Sequence, residues 1–187
     1  TKKMKKLKSL KPRFKARIRK NKQILKKEIK NFFIWIKGAE LVSLKECNTS
    51  EDPVRPELNN EFRTSYGREI YGVKYKGEIY AVMCFAFTNQ IPKSVKDLDK
   101  LSKDAFLQSA LRDQKVGKIA VAYTVWSKKK GGGKLIVKQV FKMIKKSNHL
   151  NRLVTLSPLT EMATKFHFRN GAKLLHINET TQNFEYK

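Results

Sequence analysis

Cysteine is scarce in this chain: Cys47 and Cys84 are the only two in 187 residues. Two thiols in apolar, strand-like surroundings do not make the disulfide framework of a small secreted fold, so a reducing compartment is expected. Histidine is nearly as rare, and His149, His167 and His176 show no metal-ligand spacing with one another or with the cysteines. No metal is expected. No apolar run approaches the ~20 residues of a membrane-spanning helix. The N-terminus lacks the apolar stretch of a secretory signal, and Ser is too sparse there for a transit peptide. A soluble, cytoplasmic protein is the expectation. Acids are also short: 16 Asp and Glu face 42 Lys and Arg, a formal net charge of +26. That balance does not specify a fold, but it draws a protein to polyanions.

The basic charge is uneven. Residues 1–30 hold fifteen Lys or Arg and one acid, Glu28, which is +14 of the total. Residues 1 to about 12 are too charged to fold alone, and Pro12 is expected to end them. From Arg13 the apolar residues Phe14, Ile18, Leu25, Ile29, Phe32, Phe33 and Ile36 fall mostly at spacings of three, four and seven. An amphipathic helix over 13–37 follows, with Gly38 as its stop. The organisation predicted is a basic tail and helix over 1–37 and a folded domain over 38–187. The cations Lys2, Lys3, Lys5, Lys6, Lys8, Lys11, Arg13, Lys15, Arg17, Arg19 and Lys20 form a candidate nucleic-acid-binding arm. The cluster FFIWI (32–36) either docks the helix or enters a membrane surface. Nucleic acid ranks above membrane because these apolar residues sit apart from the densest charge.

Beyond Gly38 the pattern alternates. Strands are predicted at 39–47, 116–127, 151–158, 172–177 and 183–187. A hairpin is predicted over 68–90 around the turn signal YKGE. Helices are predicted over 92–114, 134–146 and 160–171, and a polar loop with a short helix fills 48–67. This is a mixed α/β plan with one strand–helix–strand crossover at its centre.

The most informative stretch is SKKKGGGK, residues 127–134, between the most apolar strand and a helical pattern. A glycine-rich turn at a helix N-terminus offers unpaired amides and a favourable dipole to an anion. Lys128, Lys130 and Lys134 add charge, and Gly131, Gly132 and Gly133 let phosphates approach the backbone. The spacing fails the P-loop pattern, since Leu135 follows Gly133-Lys134, and it fails the dinucleotide fingerprint.

Lys128-x-x-Gly131-x-Gly133 resembles the [QR]-x-x-G-x-[GA] loop of the GCN5-related N-acetyltransferase (GNAT) superfamily. Downstream, Ala163, Phe166-His167 and Gly171-Ala172 resemble that family's Ala, apolar-Tyr and Gly-Phe helix pattern. The resemblance spans 39–187, with specific motifs from about 120 to 176. It implies a mostly antiparallel central sheet with splayed central strands, flanked by helices and here preceded by the basic N-terminal helix. It implies acetyl-CoA or another acyl-CoA as cofactor, its pyrophosphate on the backbone at Lys130–Lys134. It also implies that strands 118–127 and 151–158, including Tyr123, Val125 and Ser157, line the pantetheine arm. His167, in place of the family tyrosine, is the implied proton donor to the thiolate.

The sequence departs from the family at Lys128, at Ala172, and in IAVAYTVWS, which holds no carboxylate. The segment 92–114 is longer than the family's link between its third and fourth strands. Glu69, Glu78 and Glu161 are the nearest candidate bases. Tyr123 and Trp126 are read as core or cleft residues. Ser157 is read as a helix cap or a cleft residue, with no His-acid pair assigned to make it a nucleophile. Two functions remain open: an acyl-CoA-dependent N-acyltransferase whose acceptor is on or near nucleic acid, and a non-catalytic protein of the same fold whose arm and Gly-Lys loop bind polymer phosphates.

Overall fold

The computed structural model describes residues 2–112 and 117–187, with the side chains of residues 2–11, 13, 15, 34 and 112 outside the description. The chain divides into two compact units, Thr1–Ala39 and Glu40–Lys187.

The first unit is one helix, α1 (Lys2–Gly38). Pro12, expected to end a non-helical tail, lies inside it. Proline costs a helix interior about 3 kcal/mol, because it lacks the N–H and crowds the preceding turn. The Lys, Leu, Arg and Ala residues around it are strong helix formers, which confines that cost to one turn. Phe14, Ile18, Leu25, Ile29 and Phe33 are exposed along α1. Phe32 packs its ring on Trp35, 6.2 Å between centroids. Among the described residues, no helix is long and apolar enough to cross a membrane.

The second unit is built on an eight-stranded sheet. Its strands are β1 (Glu40–Leu44), β2 (Glu69–Tyr75), β3 (Glu78–Thr88), β4 (Ile119–Ser127), β5 (Arg152–Thr155), β6 (Ser157–Pro158), β7 (Lys173–Ile177) and β8 (Thr181–Tyr186). Their order is β1-β2-β3-β4-β5-β8, with β6 and β7 both paired to β8. Every pairing is antiparallel except β4–β5. Helices α2 (Asn60–Thr64), α3 (Val95–Arg112), α4 (Gly132–Lys146) and α5 (Glu161–Arg169) connect the strands. This is the expected sheet, with α4 as the crossover. Residues 113–114, the end of the expected third helix, and residue 116, the start of the expected fourth strand, lie outside the described residues.

The β2–β3 hairpin turns through Lys76 (φ 49°) and Gly77 (φ 82°), two left-handed residues that suit a two-residue turn. Alternation then sorts β3 and β4. Cys84, Ala86, Val121 and Tyr123 share one core cluster with Leu98 of α3, with Phe62 of α2 packed against it. The α4 stripe Leu135, Ile136, Val140 and Ile144 is buried separately. The long insertion α3 is tied down by Arg68, whose guanidinium meets Asp99 Oδ1 at 2.6 Å and Ser102 Oγ at 2.9 Å.

The last strand is longer than the sequence suggested. TQNFEY is buried throughout, and Thr181 and Gln182 extend it ahead of the predicted start at 183. The burial is made possible by full pairing: Asn183 donates to Pro92 O and Thr155 O, Gln182 to Pro158 O and Thr164 Oγ1, and Glu185 accepts from Arg152 at 2.6 Å. A buried polar group costs little once its partners are found.

Candidate functional site

A β-bulge opens the sheet. Cys84 pairs with Thr124 and Phe85 with Ala122, so Tyr123 of β4 has no partner on β3. Bulges bend a strand and sharpen its twist. On the other side, β4 pairs with β5 only from Ile119–Arg152 to Ala122–Thr155. The last rung is Leu156 N–H to Ala122 O, 2.9 Å. Beyond it the chain turns to pair Ser157 and Pro158 with β8, while β4 follows β3 to Ser127. The two central strands thus separate into a wedge with Tyr123–Ser127 on one wall and Leu156–Pro158 on the other.

Arg55 sits at the apex. Its Nε donates to Tyr123 O at 2.9 Å and its Nη2 to Leu156 O at 3.1 Å, one carbonyl from each wall. Asp52 anchors the turn that presents it. Oδ1 accepts from Val54 N, Arg55 N and Thr124 Oγ1, and Oδ2 pairs with Arg63 at 2.9 Å, both side chains fully buried. Arg63 also donates to Leu58 O, Arg55 O and Cys84 Sγ. The sequence reading placed no functional weight on Asp52, Arg55 or Arg63. Its only available signal was their presence in an otherwise polar, proline-containing loop.

At the open end of β4 lies the glycine turn. Gly131 caps α4 in the left-handed region, φ 84°. A Cβ on Gly132 would overlap Ser127 Oγ, and one on Gly133 would lie 2.8 Å from Phe166 Cε2. Each glycine therefore has a local structural reason. Gly132 N donates to Lys129 O and Leu135 N to Gly131 O. Among the described residues, the amides of Lys130, Gly131, Gly133 and Lys134 meet no acceptor. Four unpaired donors at a helix N-terminus make a cradle, an arrangement in which backbone amides and the helix dipole favour an anion. Lys128 is turned elsewhere: its Nζ pairs with Glu51 at 2.7 Å. Lys130 and Lys134 hold the cradle's charge.

The third feature is a buried polar chain. Tyr186 Oη lies 2.8 Å from His167 Nδ1, and His167 Nε2 lies 2.8 Å from Ser157 Oγ. Ser157 donates to Thr155 Oγ1 at 2.9 Å. Burial lowers the His167 pKa to about 4, so the ring is neutral near neutral pH. A neutral imidazole donates at one nitrogen and accepts at the other. With Ser157 donating to Thr155, the ring donates from Nε2 to Ser157 and accepts at Nδ1 from Tyr186. Burial also raises the Tyr186 phenol well above its usual range, which keeps that proton in place. His167 does not open on the wedge directly. The group on the wedge wall is Ser157, for which the sequence offered no histidine partner; α5 and β8 supply one.

The other predicted residues divide. Tyr123 contributes its carbonyl to Arg55, while its ring is buried at 1% exposure against Phe62 and its hydroxyl has no partner among the described residues. Val125 is half-buried on the β4 wall. Glu78 bonds Tyr80, Glu161 pairs with Lys165, and Glu69 is half-buried with its pKa raised by burial. Arg17, Arg19 and Lys20 are exposed on α1. The side chains of Lys2, Lys3, Lys5, Lys6, Lys8, Lys11, Arg13 and Lys15 lie outside the described residues.

No family model and no curated protein matches the sequence. Solved structures do match in fold. A GNAT-like decarboxylase, GphF, in complex with isobutyryl-CoA superposes with a TM-score of 0.61 at 9% identity, over 79% of this chain and 98% of that one. The loading GNATL domain of CurA from Lyngbya majuscula gives 0.56 at 12%, covering 80% and 97%. A Bacillus subtilis acetyltransferase in complex with CoA gives 0.50 at 12%, covering 79% and 95%. The chain has the GNAT fold, with the wedge, the glycine turn and α5 in the order the motifs predicted.

Proposed function

We propose that the protein is an acyl-CoA-dependent N-acyltransferase that moves an acetyl group to an amine. The observation that carries this is the coincidence of an open wedge with four unpaired amides at its mouth, on this fold. The cradle at Lys130, Gly131, Gly133 and Lys134 fits a pyrophosphate. The walls Tyr123–Ser127 and Leu156–Pro158, with backbone groups released from the β4–β5 ladder, fit an extended amide-bearing arm. Acyl-CoA, when bound there, supplies an activated thioester. The chain's own contribution is to hold and donate protons. Ser157 Oγ is the hydroxyl nearest the wedge; to serve as a donor it turns its proton from Thr155 Oγ1, while His167 Nε2–H stands behind it and Tyr186 fixes the tautomer. Arg55 keeps the two walls at a fixed separation.

The acceptor amine is carried by nucleic acid or by a protein bound to it. Exposed cations on α1 support this reading, since a basic arm concentrates a polyanionic acceptor without specificity. One observation favours a second reading, a non-catalytic nucleic-acid-binding protein: the carboxylates nearest the wedge, Glu51 and Asp52, are both engaged by cations, which leaves no evident base.

Calorimetric titration of acetyl-CoA into the full chain tests the proposal, at low and high salt. Saturable one-site binding should persist in an Arg17→Gln, Arg19→Gln, Lys20→Gln variant and weaken at least about tenfold in Lys130→Glu, Lys134→Glu. These loop changes are preferable to substituting Gly133, whose space Phe166 occupies. Binding that disappears with salt or with the α1 charges would mean generic polyanion attraction, and the second reading would replace the first.

A further inference from the structure

The helix α1 carries two features, and a nucleic-acid acceptor engages only one of them. Its cations suit any polyanion. Beside them runs a row of exposed apolar side chains: Phe14, Ile18, Leu25, Ile29 and Phe32. Phe14 is 66% exposed, and Phe32, the least exposed of the five, is 39% exposed. Scattered apolar residues on a surface need no explanation, but a continuous row on one face does.

The row follows from helical geometry. At 3.6 residues per turn, spacings of 4, 7, 4 and 3 bring the five residues within about 60° of one another around the axis. Phe33 borders that face and Ile24 lies off it. The row is about 27 Å long, at a rise of about 1.5 Å per residue. In the sequence the apolar cluster FFIWI stands apart from the densest charge. In the helix the two kinds of residue run together. The helix is continuous from Lys2 to Gly38, and Phe14, Ile18, Leu25 and Ile29 are exposed inside the stretch of residues 1–30 that holds fifteen Lys or Arg. By the same geometry Arg17 flanks the row on one side and Arg19 and Lys26 on the other, while Lys22 stands in the gap between Ile18 and Leu25. All four cations are exposed. Long basic side chains lay their stems along an apolar face and carry their charges past it.

We infer that α1 lies along an anionic lipid surface, with its apolar row in the boundary between headgroups and acyl chains and its flanking cations on the lipid phosphates. Nucleic acid takes up cations through its phosphates, and a row of Phe, Ile and Leu would stay in water beside it. A second copy of the helix would press together two strongly basic segments whose one acid within residues 1–30 is Glu28. A negatively charged lipid surface meets the charge and the apolar row at once. The helix lies on the bilayer rather than crossing it, since among the described residues no helix is long and apolar enough to span one. Such anchoring is independent of acyl transfer.

The experiment is co-sedimentation of the full chain with vesicles of phosphatidylglycerol and phosphatidylcholine, and with vesicles of phosphatidylcholine alone, at low and high salt. The variant Phe14→Ala, Ile18→Ala, Leu25→Ala, Ile29→Ala removes most of the row, keeps every charge, and puts the best helix former at each position. The expected result is binding to the anionic vesicles that this variant weakens at least about tenfold, with part of the wild-type binding surviving high salt. The same variant should match the wild type in binding a DNA duplex and in acetyl-CoA titration, so that failure here and failure of the acyl-transfer reading are told apart. Equal vesicle binding by variant and wild type, binding that high salt removes entirely, or no binding to anionic vesicles would overturn the inference. So would a wild-type dimer that the variant dissolves, which would put a second copy on the row, or duplex binding that the variant loses, which would put nucleic acid there. Should the fourfold variant not express, Leu25→Ala with Ile29→Ala gives the same comparison.

Discussion

Two loops bear on the wedge, and they are built on opposite principles. The turn after β4, residues 128–134, leaves four backbone amides unpaired and keeps Lys130 and Lys134 beside them. The turn after β1, around residues 48–59, leaves almost nothing unpaired: Asp52 alone gathers three hydrogen bonds on one oxygen and a buried ion pair on the other. They touch at one point, the Lys128–Glu51 ion pair. The first loop keeps its donors open and the second has the closure of a brace. Charge in the first stands beside unpaired amides, whereas charge in the second is spent on the chain itself.

Breaking the brace should have the largest effect. Asp52→Ala leaves Arg63 buried without its carboxylate and should cost about 3–5 kcal/mol in urea unfolding. A loss below ~1 kcal/mol would show that the pair is not the anchor it resembles.

The next largest effect concerns the buried Tyr186–His167–Ser157 chain. His167 is neutral when folded because burial lowers its pKa from 6.5 to about 4. A depressed folded pKa gives stability that is complete above about pH 6.5 and is lost as pH falls towards 4. The loss should reach about 3 kcal/mol across that window. Urea midpoints measured against pH should show this slope in the wild type and not in His167→Gln.

The open loop should behave in the reverse sense to the brace. Lys130→Glu with Lys134→Glu should leave unfolding within about 0.5 kcal/mol of wild type while weakening acetyl-CoA binding at least about tenfold. Equal loss of stability and binding would erase the contrast between the loops. The smallest effect belongs to their contact. The Lys128–Glu51 pair is partly exposed, and Glu51→Gln should cost at most about 1 kcal/mol, less in high salt. If it strengthened anion binding, Lys128 would be a reserve cation for the cradle.

These differences map onto what was readable beforehand. The glycine turn was legible because its chemistry is local: Gly131, Gly133 and the lysines lie within seven residues, and a helix must begin after them. The β2–β3 hairpin was legible for the same reason. The β8 strand is predicted to start late because Thr181 and Gln182 look solvated until Lys93, Pro158 and Thr164 are brought to them. The sequence offers Ser157 as a cap or cleft residue with no His-acid pair to make it a nucleophile, and the family resemblance puts His167 at the thiolate directly. The structure puts His167 one hydrogen bond behind Ser157. The helix α1 was predicted from residue 13, and it continues through Pro12, whose cost a run of good helix formers can bear.

What the sequence determined by itself, then, is whatever depends on neighbours along the chain: helix stripes, strand runs, the type of turn, the position of the glycine turn before a helix and the weight of positive charge at one end. What only the tertiary structure decided is how residues far apart satisfy one another: Arg55 with two strand carbonyls, Asp52 with Arg63, Cys47 with Asn60, Ser157 with His167 and Tyr186. Buried polar groups need partners, and the identity of a partner is fixed by the fold's long-range geometry rather than by spacing in the sequence.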